Sequence, residues 1–272
     1  MKSTAASRVL LLLVALKLTL IPLSILAASL VSRRFGHAIG GVVAGLPLIA
    51  GPIVAILLME QSALQVAPIA KATLQALPAA LAYIVTFAWL AKRLVWWQCL
   101  LGATLSFAVL GTLQLHSELP DMVATSLAIV SPILALLLMP RVPTLSGGVH
   151  VPRSEIIVRI LVAISVAALI VIGSEQLSPR ISGLLLVWPI TGSVLPCFTL
   201  ALHGAVATVN LLRGFANGLF GFVTFFALLT ELLPRMADVA IGKLLAFAVA
   251  LAGSVLAALI VHRVRVHWLR VH

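Results

Sequence analysis

Apolar stretches long enough to cross a lipid bilayer follow one another along nearly the whole chain. A transmembrane helix needs about 20 apolar residues to cross roughly 30 Å of hydrocarbon. The chain is 62% hydrophobic and 9% charged, whereas soluble domains are about one quarter charged. The polar loops between the stretches are too short to fold as a separate domain. The sequence therefore predicts a compact, all-α polytopic membrane protein.

Nine transmembrane helices are predicted. The first begins near Val9, and the others cover 38–59, 68–91, 95–115, 121–139, 156–173, 181–202, 206–230 and 239–261. The N-terminus is similar to a signal peptide because it is basic, then apolar, then rich in small residues. Lys17 interrupts its apolar part, and a comparable segment recurs at 156–172. We therefore expect a retained first helix.

The second predicted helix carries an unusual interruption. Its stretch Ile39 to Pro52 reads IGGVVAGLPLIAGP, with four glycines and two prolines inside an apolar run. Proline lacks the backbone N–H of a helical hydrogen bond, and lipid offers no water to replace that bond. Such a break is tolerated where protein or a polar cavity covers it.

The interruption recurs 142 positions later, where 181–196 reads ISGLLLVWPITGSVLP and Pro189 aligns with Pro47. The same offset aligns several polar pairs: Lys17 with Arg159, Lys71 with Arg213, and Gln75 with Asn217. We therefore divide the chain into a four-helix repeat at 1–118, a linker helix and loop at 119–152, and a second four-helix repeat at 153–272.

The fifth helix determines the relative orientation of the two repeats. Five crossings separate the start of one repeat from the start of the next, so the repeats enter the membrane from opposite sides. Inverted repeats with interrupted helices at corresponding positions are typical of secondary transporters, whose binding sites lie at the interruptions. The sequence thus predicts two inverted four-helix repeats joined by a linker helix.

Basic residues predict the orientation in the membrane. One set of loops holds nine Lys and Arg residues and the opposite set holds four. We therefore expect a bacterial inner-membrane protein with its N-terminus outside and its C-terminus in the cytoplasm. The net charge of +11 is explained by these loops beside anionic lipid and does not indicate nucleic-acid binding.

Charged and polar residues near the interruptions are the candidate site. The candidate substrate-binding residues are Lys17, Pro47, Gly51, Lys71, Gln75, Arg159, Pro189, Thr191, Arg213 and Asn217. A cation within a transmembrane helix is costly and usually faces a cavity, and Arg offers a planar fork for phosphate or carboxylate. The alternative is interfacial anchoring, in which long Lys and Arg stems reach the headgroups. Glu60 and His203 are candidates for gating or proton transfer, or are simply polar residues at helix ends.

Motifs for membrane enzymes are missing from the sequence. It shows neither clustered Asp residues nor a Ser/His pair at membrane depth, and no Walker loop, HExxH or CxxC motif. Cys99 and Cys197 both lie in apolar segments, where buried and inert thiols are typical. We therefore expect no enzymatic activity, no cofactor and no metal.

Each half resembles the small GlpM-type bacterial membrane proteins, which are four-helix chains. Gly183, Pro189, Pro196 and Arg213 carry that resemblance in the second half. In the first half the matching residues are Gly45, Pro47, Pro52 and Lys71. The resemblance implies an architecture rather than an activity.

The order of parts also resembles the small multidrug resistance proteins and the wider drug/metabolite transporter superfamily. The stretch from Phe87 to Leu115 is similar to their connection between the third and fourth helices. This resemblance implies antiparallel four-helix units that work by fusion or by dimerisation. Those exporters rely on a Glu in the first helix, where this chain has Lys17 and Arg159. The opposite charge suits an anionic substrate.

Two functions follow from these patterns. The first is a secondary transporter or flippase that carries an anionic small molecule or lipid phosphate by alternating access. The second is a non-catalytic subunit or scaffold of an envelope-assembly complex, which would use its glycine faces for helix packing. The expected partners are the lipid bilayer and the anionic substrate, and the choice between monomer and homodimer stays open.

Overall fold

The computed structural model describes residues 23, 26–117, 119–143, 145, 156–158, 160–161, 184, 187–239 and 241–271. Within these ranges the chain is helical between short turns and contains no strand. Six of the described helical segments are long and apolar enough to cross a membrane. The all-helical prediction is confirmed, and the fold fits a multi-pass membrane protein.

Eight helices have defined ends in the described part of the chain. They are α1 (His37–Gly45), α2 (Ala50–Glu60), α3 (Ala63–Gln75), α4 (Leu77–Leu90), α5 (Trp96–His116), α6 (Asp121–Leu138), α7 (Ile190–Arg235) and α8 (Gly242–Val271). The helices predicted at 95–115 and 121–139 are confirmed as α5 and α6. Most of the first and sixth predicted helices lies outside the described residues.

The third predicted helix begins earlier than expected and is divided. Ser62 and Gln65 form a capping box that starts α3 at Ala63, five residues before the predicted start at 68. Pro68 therefore lies inside the helix rather than at its beginning. A turn at Ala76 separates α3 from α4, where Pro78 occupies the first helical turn. Proline cannot donate the hydrogen bond that would continue α3, so the helical hydrogen bonding is interrupted there.

Gly204 divides α7 into two parts, 190–203 and 205–235. Its backbone has φ 78° and ψ −178°, a conformation outside the helical region that glycine adopts without steric cost. The break falls between the seventh and eighth predicted helices, whose adjoining ends are at 202 and 206. A connection at this point is confirmed.

The second part of α7 is the central helix of the bundle. Residues on all of its faces are buried, including Leu212, Ala216, Phe225 and Leu229. A helix that is apolar all round is normally surrounded by other helices. The segments α1, α3 and α8 pack against it, so its residues hold the two halves of the chain together.

The outer helices turn apolar stripes away from the core. On α5, Leu101, Leu105, Val109 and Leu113 are each about 60% exposed. Their spacing of four residues places them on one face of the helix. Such a continuous apolar stripe would be unfavourable in water and suits contact with lipid tails.

Contacts at the helix ends define two ends of the bundle, which we call the Asp121 end and the Leu138 end after the first and last residues of α6. At the Leu138 end, the indole of Trp89 donates to the carbonyl oxygen of Leu138 at 2.8 Å. Asn210 donates there to the carbonyl oxygen of Pro143 at 2.9 Å. The first residues of α6 meet α3 at the Asp121 end.

Candidate functional site

The first predicted interruption is a break between α1 and α2. Residues 46–49 are not helical. Leu46 is extended, with φ −70° and ψ 159°, as is usual for a residue that precedes proline. The helical pattern resumes when the N–H of Gly51 bonds to the carbonyl oxygen of Pro47 at 2.8 Å. The predicted break at Pro47 is therefore present.

The second predicted interruption is a tight turn centred on Pro189. Val187 is helical, Trp188 and Pro189 are not, and α7 begins at Ile190. Pro189 has φ −81° and ψ 72°, and the N–H of Ile190 bonds to the carbonyl oxygen of Trp188 at 2.9 Å. These are the features of an inverse γ-turn. Both aligned prolines therefore interrupt a helix.

The two breaks lie against each other. The hydroxyl of Thr191 donates to the carbonyl oxygen of Ala44 at 3.2 Å, although the two residues are 147 positions apart. Ala44 is in the last turn of α1, where carbonyl groups have no partner within the helix. Thr191 is buried and near the start of α7. The start of one helix thus satisfies a carbonyl group at the end of the other.

Close backbone packing surrounds this contact. A Cβ atom added to Gly41 would overlap the carbonyl oxygen of Leu211, and one added to Gly218 would overlap that of Val42. Gly45 and Gly214 face equally close backbone of the opposite helix. Each helix thus presents two glycines spaced four residues apart, which is the arrangement that lets transmembrane helices approach most closely. We call this contact the glycine crossing.

Arg213 and Asn217 lie on α7 beside the glycine crossing. Arg213 Nη1 donates to the carbonyl oxygens of Leu136, Met139 and Pro140 at 3.3, 3.5 and 3.5 Å. It therefore caps the C-terminus of α6, where the helix dipole favours a cation. Asn217 is buried and donates to the carbonyl oxygen of Arg213 at 2.8 Å.

Lys71 and Gln75 lie at the Asp121 end instead. Lys71 Nζ is 2.6 Å from Asp121 Oδ2, and the Gln75 amide donates to Asp121 Oδ1 at 3.2 Å and to Thr125 at 3.4 Å. The ion pair is partly exposed. The structure therefore separates these two candidate residues from the breaks and joins them to the start of α6.

A cleft opens beside Gln75 at the same end. It has a volume of about 100 Å³, and its polar lining comes from Gln75, Gln114, Ser117 and Asp121. Its apolar lining is contributed by Ala72, Ala76, Gly111, Leu115, Leu119, Ala124, Leu127 and Leu184. A space of this size with several polar groups can hold water or a small polar group.

The two candidates for gating or proton transfer, His203 and Glu60, lie in different places. The rings of His203 and His37 contact each other at a tilt of 52°, with 5.0 Å between their centroids. Each histidine adjoins a glycine with positive φ, Gly204 and Gly36 respectively. Glu60 ends α2, and its side chain is outside the described part of the structure. Lys17 and Arg159 also lie outside the described residues.

Several contacts were not found by sequence reasoning. Asp121 is not among the candidate residues predicted from the sequence, yet it binds both Lys71 and Gln75. Lys243 donates to the carbonyl oxygens of Leu58 and Gln61 at 2.7 and 3.2 Å, and so caps α2. Asp121 directly follows Pro120, a helix-start signal that could have drawn attention to it. Lys243 offers no comparable signal.

The arrangement supplies hydrogen bonding and charge rather than a set of metal ligands. Within the described residues, no group of three or more His, Cys, Asp or Glu side chains lies close enough together to hold a metal ion. The paired breaks provide a buried contact at which α1 ends, α2 and α7 begin, and a side chain of α7 binds a backbone carbonyl group of α1.

No protein-family model, curated protein or solved structure matches this chain.

Proposed function

We propose that this protein is a secondary transporter or flippase whose substrate site lies at the paired breaks of α1/α2 and α7. The observation that carries the proposal is the hydrogen bond from Thr191 to Ala44, which joins two interrupted membrane helices. Interrupted helices that meet inside the bilayer are the usual means by which transporters expose backbone groups to a substrate.

Inverted repeats are supported by the two ends of α6. Lys71 and Arg213 occupy aligned positions in the two halves of the sequence. Lys71 contacts the first residue of α6, and Arg213 contacts carbonyl groups in its last turn. A pseudo-two-fold axis in the membrane plane would place aligned residues at opposite membrane faces in this way. We therefore propose two inverted repeats, with α6 as the linker helix.

An anionic substrate is favoured by the helix starts at the breaks. Both α2 and α7 begin there, and the first turn of a helix presents N–H groups and partial positive charge. Arg213 adds a cation on α7 beside the glycine crossing, where its Nη1 also donates to carbonyl oxygens at the end of α6. Lys17 and Arg159 remain predicted members of the same site. Lys71 contributes less to the attraction of an anionic substrate, since Asp121 already balances its charge.

Reconstitution into proteoliposomes tests the proposal. The purified chain would be assayed for uptake of labelled carboxylates and phosphates and for scrambling of fluorescent phospholipids. We expect Lys17→Ala and Arg213→Ala to lower the activity found at least about tenfold, which corresponds to about 1.4 kcal/mol. Arg93→Ala is the matched control, because Arg93 is an exposed cation in the turn before α5. Equal activity in all three variants would contradict the anionic site.

The proposed orientation has the N-terminus outside a bacterial inner membrane and the C-terminus in the cytoplasm. In that orientation the Asp121 end of the bundle faces outward and the Leu138 end faces the cytoplasm. Protease and thiol-labelling access to tags at each terminus would measure the orientation. Labelling of both tags from the same side would contradict it, because nine crossings place the termini on opposite sides.

A second candidate function is the non-catalytic subunit of an envelope-assembly complex. The glycine crossing favours it specifically, because backbones in such close contact can form a permanent seal. In that case the chain would co-purify with a partner in fixed proportion, and the proteoliposome assays would show no activity. A stable complex with one partner after affinity purification from its native membrane would favour this function.

A further inference from the structure

The glycine crossing and the cleft occupy corresponding positions in the two repeats. The offset of 142 residues that aligns Pro47 with Pro189 also aligns Ala76 with Gly218 and Leu184 with Val42. Gly218 lies directly against the backbone of Val42 in the glycine crossing. The counterparts of Gly218 and Val42, which are Ala76 and Leu184, instead line the cleft. The aligned residues are therefore in close backbone contact at one place and line a cleft at the other.

The two places also lie at opposite ends of the bundle. The cleft is bordered by Asp121, the first residue of α6. The glycine crossing adjoins Arg213, which binds the last carbonyl groups of α6. The polar pair Gln75 and Asn217 follows the same division, because Gln75 lines the cleft and Asn217 is buried. A single pathway between the two repeats would thus be open at one end and closed at the other.

We infer that the cleft is the open mouth of the transport pathway and that the glycine crossing is the closed mouth of the same pathway. The inference rests on the proposed function. It assigns the entering substrate to the cleft whose polar lining is Gln75, Gln114, Ser117 and Asp121. The Gln75 and Gln114 amides and the Ser117 hydroxyl already donate to neighbouring oxygen atoms of the protein. An entering carboxylate or phosphate would therefore exchange its oxygens for these acceptors. The opposite state closes the cleft by packing Leu184 on Ala76 and opens the glycine crossing.

The small residues differ between the two mouths. Gly214 and Gly218 let α1 approach the backbone of α7. Their counterparts Ala72 and Ala76 carry methyl groups, and both line the cleft. A turn at Ala76, with Pro78 in the first turn of the next helix, lies beside the cleft. Replacement of both alanines by glycine is therefore expected to favour closure of the cleft.

Labelling of single cysteines tests this inference without a known substrate. Cys99 and Cys197 are both buried and would first be replaced by alanine. The aligned variants Gln75→Cys and Asn217→Cys would then be treated in vesicles with a membrane-impermeant thiosulfonate applied to each face separately. We expect Gln75→Cys to react at least about tenfold faster than Asn217→Cys, and only from the face at the Asp121 end.

Two further variants shift the balance between the mouths. In the Ala72→Gly/Ala76→Gly background, labelling of Gln75→Cys should fall and labelling of Asn217→Cys from the opposite face should rise. Gly218→Ala should raise labelling of Asn217→Cys as well, because its methyl group would overlap the carbonyl oxygen of Val42. Intact folding of each variant would be verified by size-exclusion chromatography in detergent.

The outcomes separate this inference from the proposed function. A protected Gln75→Cys, or labelling that stays the same in all backgrounds, would overturn the two-mouth inference even if proteoliposomes transported an anion. A fall in the labelling of Gln75→Cys together with a rise in that of Asn217→Cys would support the inference even if none of the tested carboxylates, phosphates and lipids were transported. In that case the proposed substrate class would be wrong, while the assignment of the two mouths would stand.

Discussion

Lys71 and Arg213 contact opposite ends of the same helix, α6. Lys71 forms an ion pair with Asp121 in the first turn, and Arg213 donates to carbonyl groups at the other end. The two cations meet different chemistry because a helix starts with N–H groups and ends with carbonyl groups. At the start of α6 the cation needs an acidic residue as its partner, whereas at the end it can bind the backbone directly.

This difference predicts unequal effects on stability. Lys71→Met should lower the free energy of unfolding by no more than about 1 kcal/mol, because partly exposed ion pairs contribute little. Arg213→Met should lower it by about 1–3 kcal/mol, since it removes the donor from half-buried carbonyl groups. Melting temperatures in detergent, followed by tryptophan fluorescence, would measure both. A larger loss for Lys71→Met would contradict the capping role of Arg213.

Two glycines of the interrupted helices should differ in their response to replacement by alanine. Gly45→Ala places a methyl group against the backbone of Phe215 and should destabilise the protein by about 1–3 kcal/mol. Gly51→Ala is the matched control, because among the described residues its Cβ would meet only the ring of Phe225, at 3.9 Å. That replacement should be neutral or should stabilise α2 by up to about 1 kcal/mol.

The measurement is again the melting temperature of each variant in the same detergent. Equal losses for Gly45→Ala and Gly51→Ala would show that the close contact of α1 with α7 has no energetic importance. The glycine crossing would then be no barrier to helix separation.

Gly204 should be sensitive for a reason that does not involve packing. Its φ of 78° is unfavourable for residues with a side chain, but a Cβ there would meet no atom of the described residues within 4 Å. Gly204→Ala and Gly204→Val should therefore both lower the free energy of unfolding, because a φ of 78° with a ψ of −178° is a conformation that essentially only glycine adopts. Thermal unfolding of both variants beside the unchanged protein measures this, and an alanine variant as stable as the unchanged protein would contradict the backbone explanation.

The parts of the fold that followed from sequence are those set by local chemistry. Proline lacks a backbone donor, so the breaks at Pro47 and Pro189 could be predicted from the residues themselves. The connection at Gly204 could also be predicted locally, because a polar residue and a glycine, His203 and Gly204, stand between two apolar stretches. The capping box of Ser62 and Gln65 is a local signal for the start of α3, but the helix was predicted to begin five residues later, at Pro68.

The partners of the charged residues could not be predicted in this way. Lys71 and Asp121 are 50 positions apart, and nothing local to either residue names the other. Arg213 binds carbonyl groups, which every residue possesses and which leave no trace in a sequence. The sequence therefore marks Lys71 and Arg213 as unusual residues, but only the structure shows that both contact the ends of α6.

Thr191 provides the most direct test of the contact between the breaks. Thr191→Val keeps the shape of the side chain but removes the hydroxyl that donates to Ala44, so it should lower stability by about 1 kcal/mol and leave that carbonyl unpaired. Thr191→Ser keeps the donor and should retain most of the stability. Thr112→Val is a matched control, because the Thr112 hydroxyl is exposed and bonds only within its own helix. If the hydrogen bond positions the proposed site, transport in proteoliposomes should fall in Thr191→Val and recover in Thr191→Ser. Equal transport by the serine and valine variants would show that the contact between the breaks is not needed for function.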